Sequence, residues 1–434
     1  MTAATARRLT IAIVVLVALV AAWNAARYPP GLGYDADDQV YYMDGIRGGG
    51  LPDAEGAYYT PPGFYSVAAV ATELGELVGL GQPLRVTLVL NAALAVGSLL
   101  LLLLLVRELW PGRAVLHLLA VGFAAGSVIL LRTAAMFHPE TLSLFLSTLA
   151  LLLAARLVVR RDYRLRTALL LGVALGASQL VRAWALWTFA VVLLTLLVTW
   201  FVEAADRRRV AAAAAATCAA VALVAGPWYA YQASRYTNPI FDRPQVDRPR
   251  WERRPASFYV DPGLPEVITR PHRPSHNNRF WPTLYAEAWG DYAGTFAWEG
   301  HKEPPSGGTL RDLVTQSVVM VVPTALAVAG WLALLVDGLR RPHASRGRLL
   351  VGLLPLAGIA GMLYFTVSYP TPDGDVIKAT YMLTTLPAWA AAFAVAAERV
   401  ARGRLALPFA LLFVLAALAG IRFTVYGTPL GGLL

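Results

Sequence analysis

Apolar runs long enough to cross a bilayer recur along this chain, and they restrict it to a bundle of membrane-spanning helices. A crossing helix needs ~20 apolar residues, because lipid leaves every backbone N–H and C=O to be paired within the segment. About eleven stretches qualify: 9–26, 84–106, 114–131, 140–158, 167–181, 184–202, 210–232, 313–336, 349–367, 378–397 and 405–425. The stretch from Thr167 to Val202 is too long for one crossing and divides at Arg182. Residues 64–81 are interrupted by Glu73 and Glu76 and read as an amphipathic helix lying in the interface. The expectation is an all-α polytopic membrane protein in three parts. An N-terminal membrane region, 1–232, carries a first outer loop at 27–63 and a second at 132–140. A long outer loop occupies 233–312, and a second membrane region 313–434. Composition agrees: the chain is 57% hydrophobic and only 15% charged, which excludes an ordinary soluble domain.

The net charge of +10 raises nucleic acid as a partner, but the placement of the arginines argues against it. Arg7 and Arg8, Arg107 and Arg113, the cluster from Arg156 to Arg166, Arg207 to Arg209, Arg340 to Arg348 and Arg399 to Arg404 occupy alternate loops. All fall on one side once the chain divides at Arg182, and that side is therefore cytoplasmic. The N-terminus is expected in the cytoplasm of a multi-pass plasma (inner) membrane protein. The loops 27–63, around His138, 233–312 and 368–377 then face outward. The first span is read as retained, because no small-x-small cleavage site precedes a soluble mature domain. No internal repeat of the kind found in inverted-repeat transporters is visible. The single cysteine, Cys218, lies in an apolar run; it excludes an internal disulfide and a thiol-rich metal site.

Chemistry-bearing residues concentrate in the outward segments. The first loop groups Asp35, Asp37 and Asp38 with Tyr34, Tyr41 and Tyr42, and the turn Tyr59-Thr60-Pro61-Pro62-Gly63-Phe64-Tyr65 follows. A carboxylate at a low-dielectric boundary is a better base than one in water; a solvated acidic loop with an interfacial tyrosine belt is the plainer alternative. The second loop crowds Arg132, His138 and Glu140 around Pro139. Glu140 also suits a helix start, and His138 could equally be a hydrogen-bonded interfacial histidine. Arg182 and Lys378 are outward cations against the charge bias, and Lys378 is one of only two lysines. A phosphate would explain both; so would ion pairs with loop carboxylates, Asp373 or Asp375 in the case of Lys378. In the long loop, His276 to Tyr292 interleaves aromatics with Asn, Arg, Glu and Asp. Arg279, Trp281 and Tyr285 there suit sugar recognition, and an interfacial anchor equally well. Tyr41, Tyr59, His138 and Glu140 join them as candidate contacts for sugar or acceptor.

Taken together, these segments resemble the GT-C membrane glycosyltransferases, and most closely the branch containing protein O-mannosyltransferases and the aminoarabinose transferase of lipid A. That branch often has an Asp-Glu-x-x-Tyr motif in the first outer loop. Asp37-Asp38-Gln39-Val40-Tyr41 occupies this place, with Asp38 where Glu is common. Pro61-Pro62-Gly63 matches the turn that follows, and Arg182-Ala183-Trp184 a basic residue opening a helix. Gly226-Pro227-Trp228-Tyr229 leading to Asn238-Pro239, and Lys378 with Tyr381 and Pro387, match later segments. The likeness covers most of the chain in order, although each motif alone is weak. No stretch reads as the large soluble C-terminal domain that some GT-C enzymes carry.

The resemblance implies a GT-C fold and a polyprenyl-phosphate-linked sugar donor. It also implies transfer with inversion to an acceptor on protein, lipid or cell-wall glycan. Asp37 is then the first choice for general base and Asp38 the second; Lys378, Arg182 and Arg132 would hold the donor phosphate. Clustered Asp with His138 or Glu140 could hold a divalent metal, which the sequence neither requires nor excludes. Two other classes share the span count. A transporter or flippase of lipid-linked saccharides would place ionisable groups near the bilayer midplane. A lipid-linked glycan ligase would use the long loop's Arg270, His272, Arg273, His276 and Arg279.

Overall fold

The computed structural model describes residues 1–52, 56–236, 254–277, 279–298, 303–368, 377–401 and 404–427. Among these residues all regular structure is helical. α1 (Ala3–Arg27) crosses first, and α2 (Ala36–Arg47) and α3 (Gly63–Leu77) build the loop after it. Then come α4 (Arg85–Leu109), α5 (Ala114–Ala125), α6 (Val128–Ala135), α7 (Glu140–Val159), α8 (Leu165–Val181), α9 (Ala185–Val202) and α10 (Arg207–Arg235). The long loop carries α11 (Ala256–Val260), α12 (Glu266–Thr269) and α13 (Phe280–Trp289). The C-terminal part consists of α14 (Gly307–Val319), α15 (Val321–Arg340), α16 (Arg346–Ser368), a 3-10 segment Ala379–Thr385, α17 (Leu386–Ala401) and α18 (Ala406–Thr424).

Nine helical stretches among the described residues are long and apolar enough to cross a membrane, and the bent pair of α5 and α6 would make a tenth. The helix α8, where an eleventh crossing was expected, is apolar but shorter than these. This is a multi-pass membrane protein. Exposed Leu16, Leu19, Leu194, Leu197 and Leu411 give the bundle the apolar exterior that lipid requires. Several hydroxyls within the crossings are satisfied locally: those of Thr10, Thr148, Thr195 and Thr199 donate to the carbonyl four residues back at 2.7–2.8 Å. Small residues bring helices together. A Cβ at Gly172 of α8 would lie 2.5 Å from the Thr217 carbonyl oxygen of α10, the close backbone approach that membrane helices use for packing.

Three boundaries differ from the sequence expectation. The span placed at 114–131 is a helix pair bent by 52°. α6 continues to Ala135, so Arg132 lies in a helix and not in the loop. The span placed at 378–397 opens with the 3-10 segment, and α17 proper begins at Leu386. The helix expected at 64–81 is α3, which ends at Leu77, and the aromatic stretch from His276 to Tyr292 contains α13.

Several connections meet at one end of the bundle. Arg85 Nη1 donates to the carbonyls of Ala25 at 3.1 Å and Ala26 at 2.6 Å, closing the end of α1. The Pro61-Pro62-Gly63 turn starts α3 against the end of α8. A Cβ at Gly63 would lie 2.7 Å from the Leu180 carbonyl oxygen, so any larger residue pushes the two apart.

Candidate functional site

Asp35 sits at the mouth of the first loop, just before α2. Its φ of 52° is left-handed, which costs a non-glycine residue about 1–2 kcal/mol and persists only where neighbours hold it. The carboxylate is 41% exposed and lies 2.9 Å from Lys378 Nζ. Burial alone would raise its pKa; the Lys378 ammonium outweighs this and holds the carboxyl below the usual carboxylate value. Lys378 itself is buried. Its ammonium lies 5.3 Å from the Tyr34 ring centroid and 6.0 Å from that of Tyr381.

Arg182, between α8 and α9, approaches the same tyrosine: its guanidinium carbon lies 5.1 Å from the Tyr381 ring. Trp184 stacks on Tyr381 with centroids 5.4 Å apart. Two buried cations, about 200 residues apart in sequence, therefore converge on one aromatic ring beside one carboxylate. Arg182 Nε also donates to Glu140 Oε1 at 2.6 Å. The second Glu140 oxygen has no hydrogen-bond partner, nor has His138 Nε2. His138 is fully buried and lies edge-on to Tyr34, centroids 6.2 Å apart. Burial first, and then Arg182 and Lys378, push its pKa well below the usual histidine value, against the opposing pull of Asp35. Burial therefore favours the neutral imidazole.

The first-loop tyrosines form a scaffold behind this cluster. Tyr42 and Tyr65 stack at 4.0 Å, Tyr42 donates to the Thr60 carbonyl at 3.0 Å, and Tyr65 donates to Gln39. Of the expected base candidates, Asp37 is exposed and Asp38 faces the Gly56 turn. Burial, Asp35 and Asp37 together push the Asp38 pKa up. Tyr41 is exposed and Tyr59 half-buried, edge-on to Tyr58.

Arg132, expected at a phosphate, is fully buried and anchored elsewhere. It donates to Glu287 Oε1 at 2.7 Å and Asp291 Oδ1 at 3.1 Å. Two carboxylates already neutralise it, so it locks the segment after α13 onto α6. The trio expected to recognise sugar is likewise occupied in building the loop. Arg279 pairs with Asp261 at 3.0 Å and Glu266 at 3.3 Å. Trp281 donates to the Tyr259 carbonyl at 2.8 Å and Tyr285 to the Ser317 carbonyl at 2.6 Å. Asp373, Asp375, Asn238 and Pro239 lie outside the described residues. Among those described, no three His, Cys, Asp or Glu side chains stand close enough to hold a metal ion.

Sequence reasoning thus singled out Lys378, Arg182, His138 and Glu140, which the structure brings together. It grouped Asp35 with the other acids without choosing it, and missed the part played by Tyr34 and Glu287. The usable signal was a cation set apart in sequence from the arginine-rich loops. Nothing local distinguishes Asp35 from Asp37.

No family model matches this sequence, and no curated protein matches it. Solved structures do. The crystal structure of the Archaeoglobus fulgidus oligosaccharyltransferase in the apo form aligns with TM-score 0.55 and 17% identity, over 97% of this chain and 56% of that one. The archaeal oligosaccharyltransferase AglB from Archaeoglobus fulgidus, in complex with an inhibitory peptide and a dolichol-phosphate, aligns with TM-score 0.54, 17% identity and the same coverages. ArnT from Cupriavidus metallidurans bound to undecaprenyl phosphate aligns with TM-score 0.49 and 15% identity, over 93% of this chain and 63% of that one. The chain spans little more than half the length of the archaeal enzyme. At this identity the likeness is one of fold, and the fold is that expected from the motifs: all-helical, polytopic and GT-C in type.

Proposed function

We propose that this protein is an inverting glycosyltransferase that moves a sugar from a polyprenyl-phosphate donor to an acceptor hydroxyl or amine at the extracytoplasmic membrane face. The observation that carries the reading is the convergence of Lys378 and Arg182 on Tyr381 beside Asp35. Each cation already meets one carboxylate, Lys378 that of Asp35 and Arg182 that of Glu140; because both approach one ring, a lipid phosphate with its tail among the helices would be a second anion that the two share. The dolichol-phosphate carried by the archaeal structure agrees with that chemistry.

The acceptor oxygen or nitrogen attacks the anomeric carbon, and the carbon–oxygen bond to the phosphate breaks. The acceptor proton passes to a carboxylate, and the bonding electrons leave with the lipid phosphate. Negative charge grows on that leaving group, where Lys378 and Arg182 stabilise it. We assign the carboxylate as Asp35, ahead of the motif-derived Asp37 and Asp38, because Asp35 meets Lys378. Before the donor binds, Lys378 holds Asp35 ionised. A phosphate that takes over the ammonium removes the partner that depresses Asp35, and burial then raises its pKa into the range of an effective base. His138 accepts from the Glu140 amide at Nδ1, so in its neutral form the proton sits on Nε2, which has no partner and is placed to donate a hydrogen bond to a sugar oxygen. Arg132 has no part in this step.

The test uses purified protein in lipid with radiolabelled polyprenyl-phosphate sugars and cell-envelope extract as acceptor. Wild type is expected to transfer label, and Asp35→Asn to transfer roughly a hundredfold less or lower still, with Asp37→Asn near wild type. Loss in Asp37→Asn with Asp35→Asn intact returns the base to Asp37. Donor binding without transfer in every protein favours a carrier of lipid-linked saccharides.

A further inference from the structure

Tyr34 is held from several sides. Its ring lies near two cations, with Lys378 Nζ at 5.3 Å and the Arg132 guanidinium carbon at 5.8 Å from the centroid. His138 meets it edge-on. Its hydroxyl donates to Glu287 Oε1, the oxygen that also accepts from Arg132. Glu287 lies on α13, more than 250 residues away in sequence. The segment that carries it is rigid for a visible reason. The Asp291 carboxylate accepts from Arg132 and from the backbone amides of Thr295, Phe296 and Ala297, at 2.7–3.1 Å. One buried arginine thus clamps both Glu287 and the turn after it.

Tyr34 immediately precedes Asp35, whose left-handed backbone needs support from its surroundings. Tyr34 also lies against the ammonium that pairs with Asp35. We propose that Glu287 is a positioning residue: acting through the Tyr34 hydroxyl, it makes the long outer loop hold Asp35 and Lys378 in register. The inference rests on the reading of Asp35 and Lys378 as the reaction centre, and it adds a dependence of that centre on α13. An acceptor or partner that displaces α13 would then loosen the Asp35–Lys378 pair.

Tyr34→Phe removes only the hydroxyl. It leaves the ring near its two cations and leaves the Arg132–Glu287 pair intact, so the fold survives. Two readouts are needed. The first is competitive labelling of the full-length protein in lipid with an amine-reactive reagent, read by mass spectrometry. The chain has only two lysines, so Lys302 serves as the internal reference for Lys378. Tyr34→Phe and Glu287→Gln are both expected to raise Lys378 labelling several-fold against Lys302. The second is transfer kinetics, where both variants are expected to lower kcat about tenfold with little change in the donor KM. Wild-type labelling ratio and kcat in Tyr34→Phe overturn the proposal, even if Glu287→Gln is impaired, because that impairment is then structural. The labelling arm needs no transfer. If wild type transfers nothing, the glycosyltransferase reading fails while an altered ratio still establishes the coupling.

Discussion

Lys378 Nζ lies 2.9 Å from Asp35 Oδ2, joining the loop after α1 to the segment before α17 across 343 residues of sequence. The two partners differ in exposure: the Lys378 side chain is 10% exposed and the Asp35 side chain 41%. A partly solvated carboxylate tolerates loss of its partner, because water replaces the ammonium.

Lys378→Met should therefore weaken donor binding without unfolding the protein. We expect an affinity at least tenfold lower for polyprenyl phosphate, and a stability change of about 1 kcal/mol or less, as for other solvent-accessible pairs. Lipid-phosphate titration by fluorescence quenching and thermal unfolding check the two halves separately. Unchanged affinity would reduce the pair to a local structural contact.

The neighbouring pair behaves in the opposite way. Arg182 and Glu140 are both buried, with 2.6 Å between Nε and Oε1. Arg182→Ala strands the Glu140 carboxylate and is expected to cost roughly 3–5 kcal/mol, whereas replacing both residues with apolar ones costs much less. Thermal unfolding of the single variants and of Arg182→Met with Glu140→Leu measures this. Additive losses would refute the pairing. Activity should be lost in all of them, because the phosphate loses a cation.

Acid should act on stability mainly through His138, which faces Arg182, Lys378 and Asp35. Its folded pKa lies well below the ordinary 6.5, so the unfolded chain binds the proton more readily. Stability is complete above 6.5 and falls as pH drops below it, by about 1.4 kcal/mol per unit. Asp35 contributes in the same direction at lower pH: its pair is intact above the ordinary 3.8 and is lost as pH falls through the depressed folded value. Unfolding midpoints between pH 7 and 5 should slope for wild type and flatten in His138→Asn. Equal slopes would remove His138 as the source.

The all-helical, multi-pass character and most of the apolar helices were legible in the sequence, because they follow from a local quantity, the length of an apolar run. Lys378 and Arg182 were legible for a related reason. A cation set apart from the arginine-rich loops breaks a local charge pattern and calls for a partner. The choice among Asp35, Asp37 and Asp38 was not legible, since three acids within four positions have the same local chemistry. The helix start at Ala36, the left-handed turn at Asp35 and the approach of Lys378 separate them. Arg132 shows the same limit from the other side. Its sequence surroundings match those of a phosphate ligand, and only the docking of α13 supplies the two carboxylates that neutralise it. Local composition sets where a segment lies relative to the membrane; which charges meet depends on contacts between segments hundreds of residues apart, and those exist only once the helices have packed.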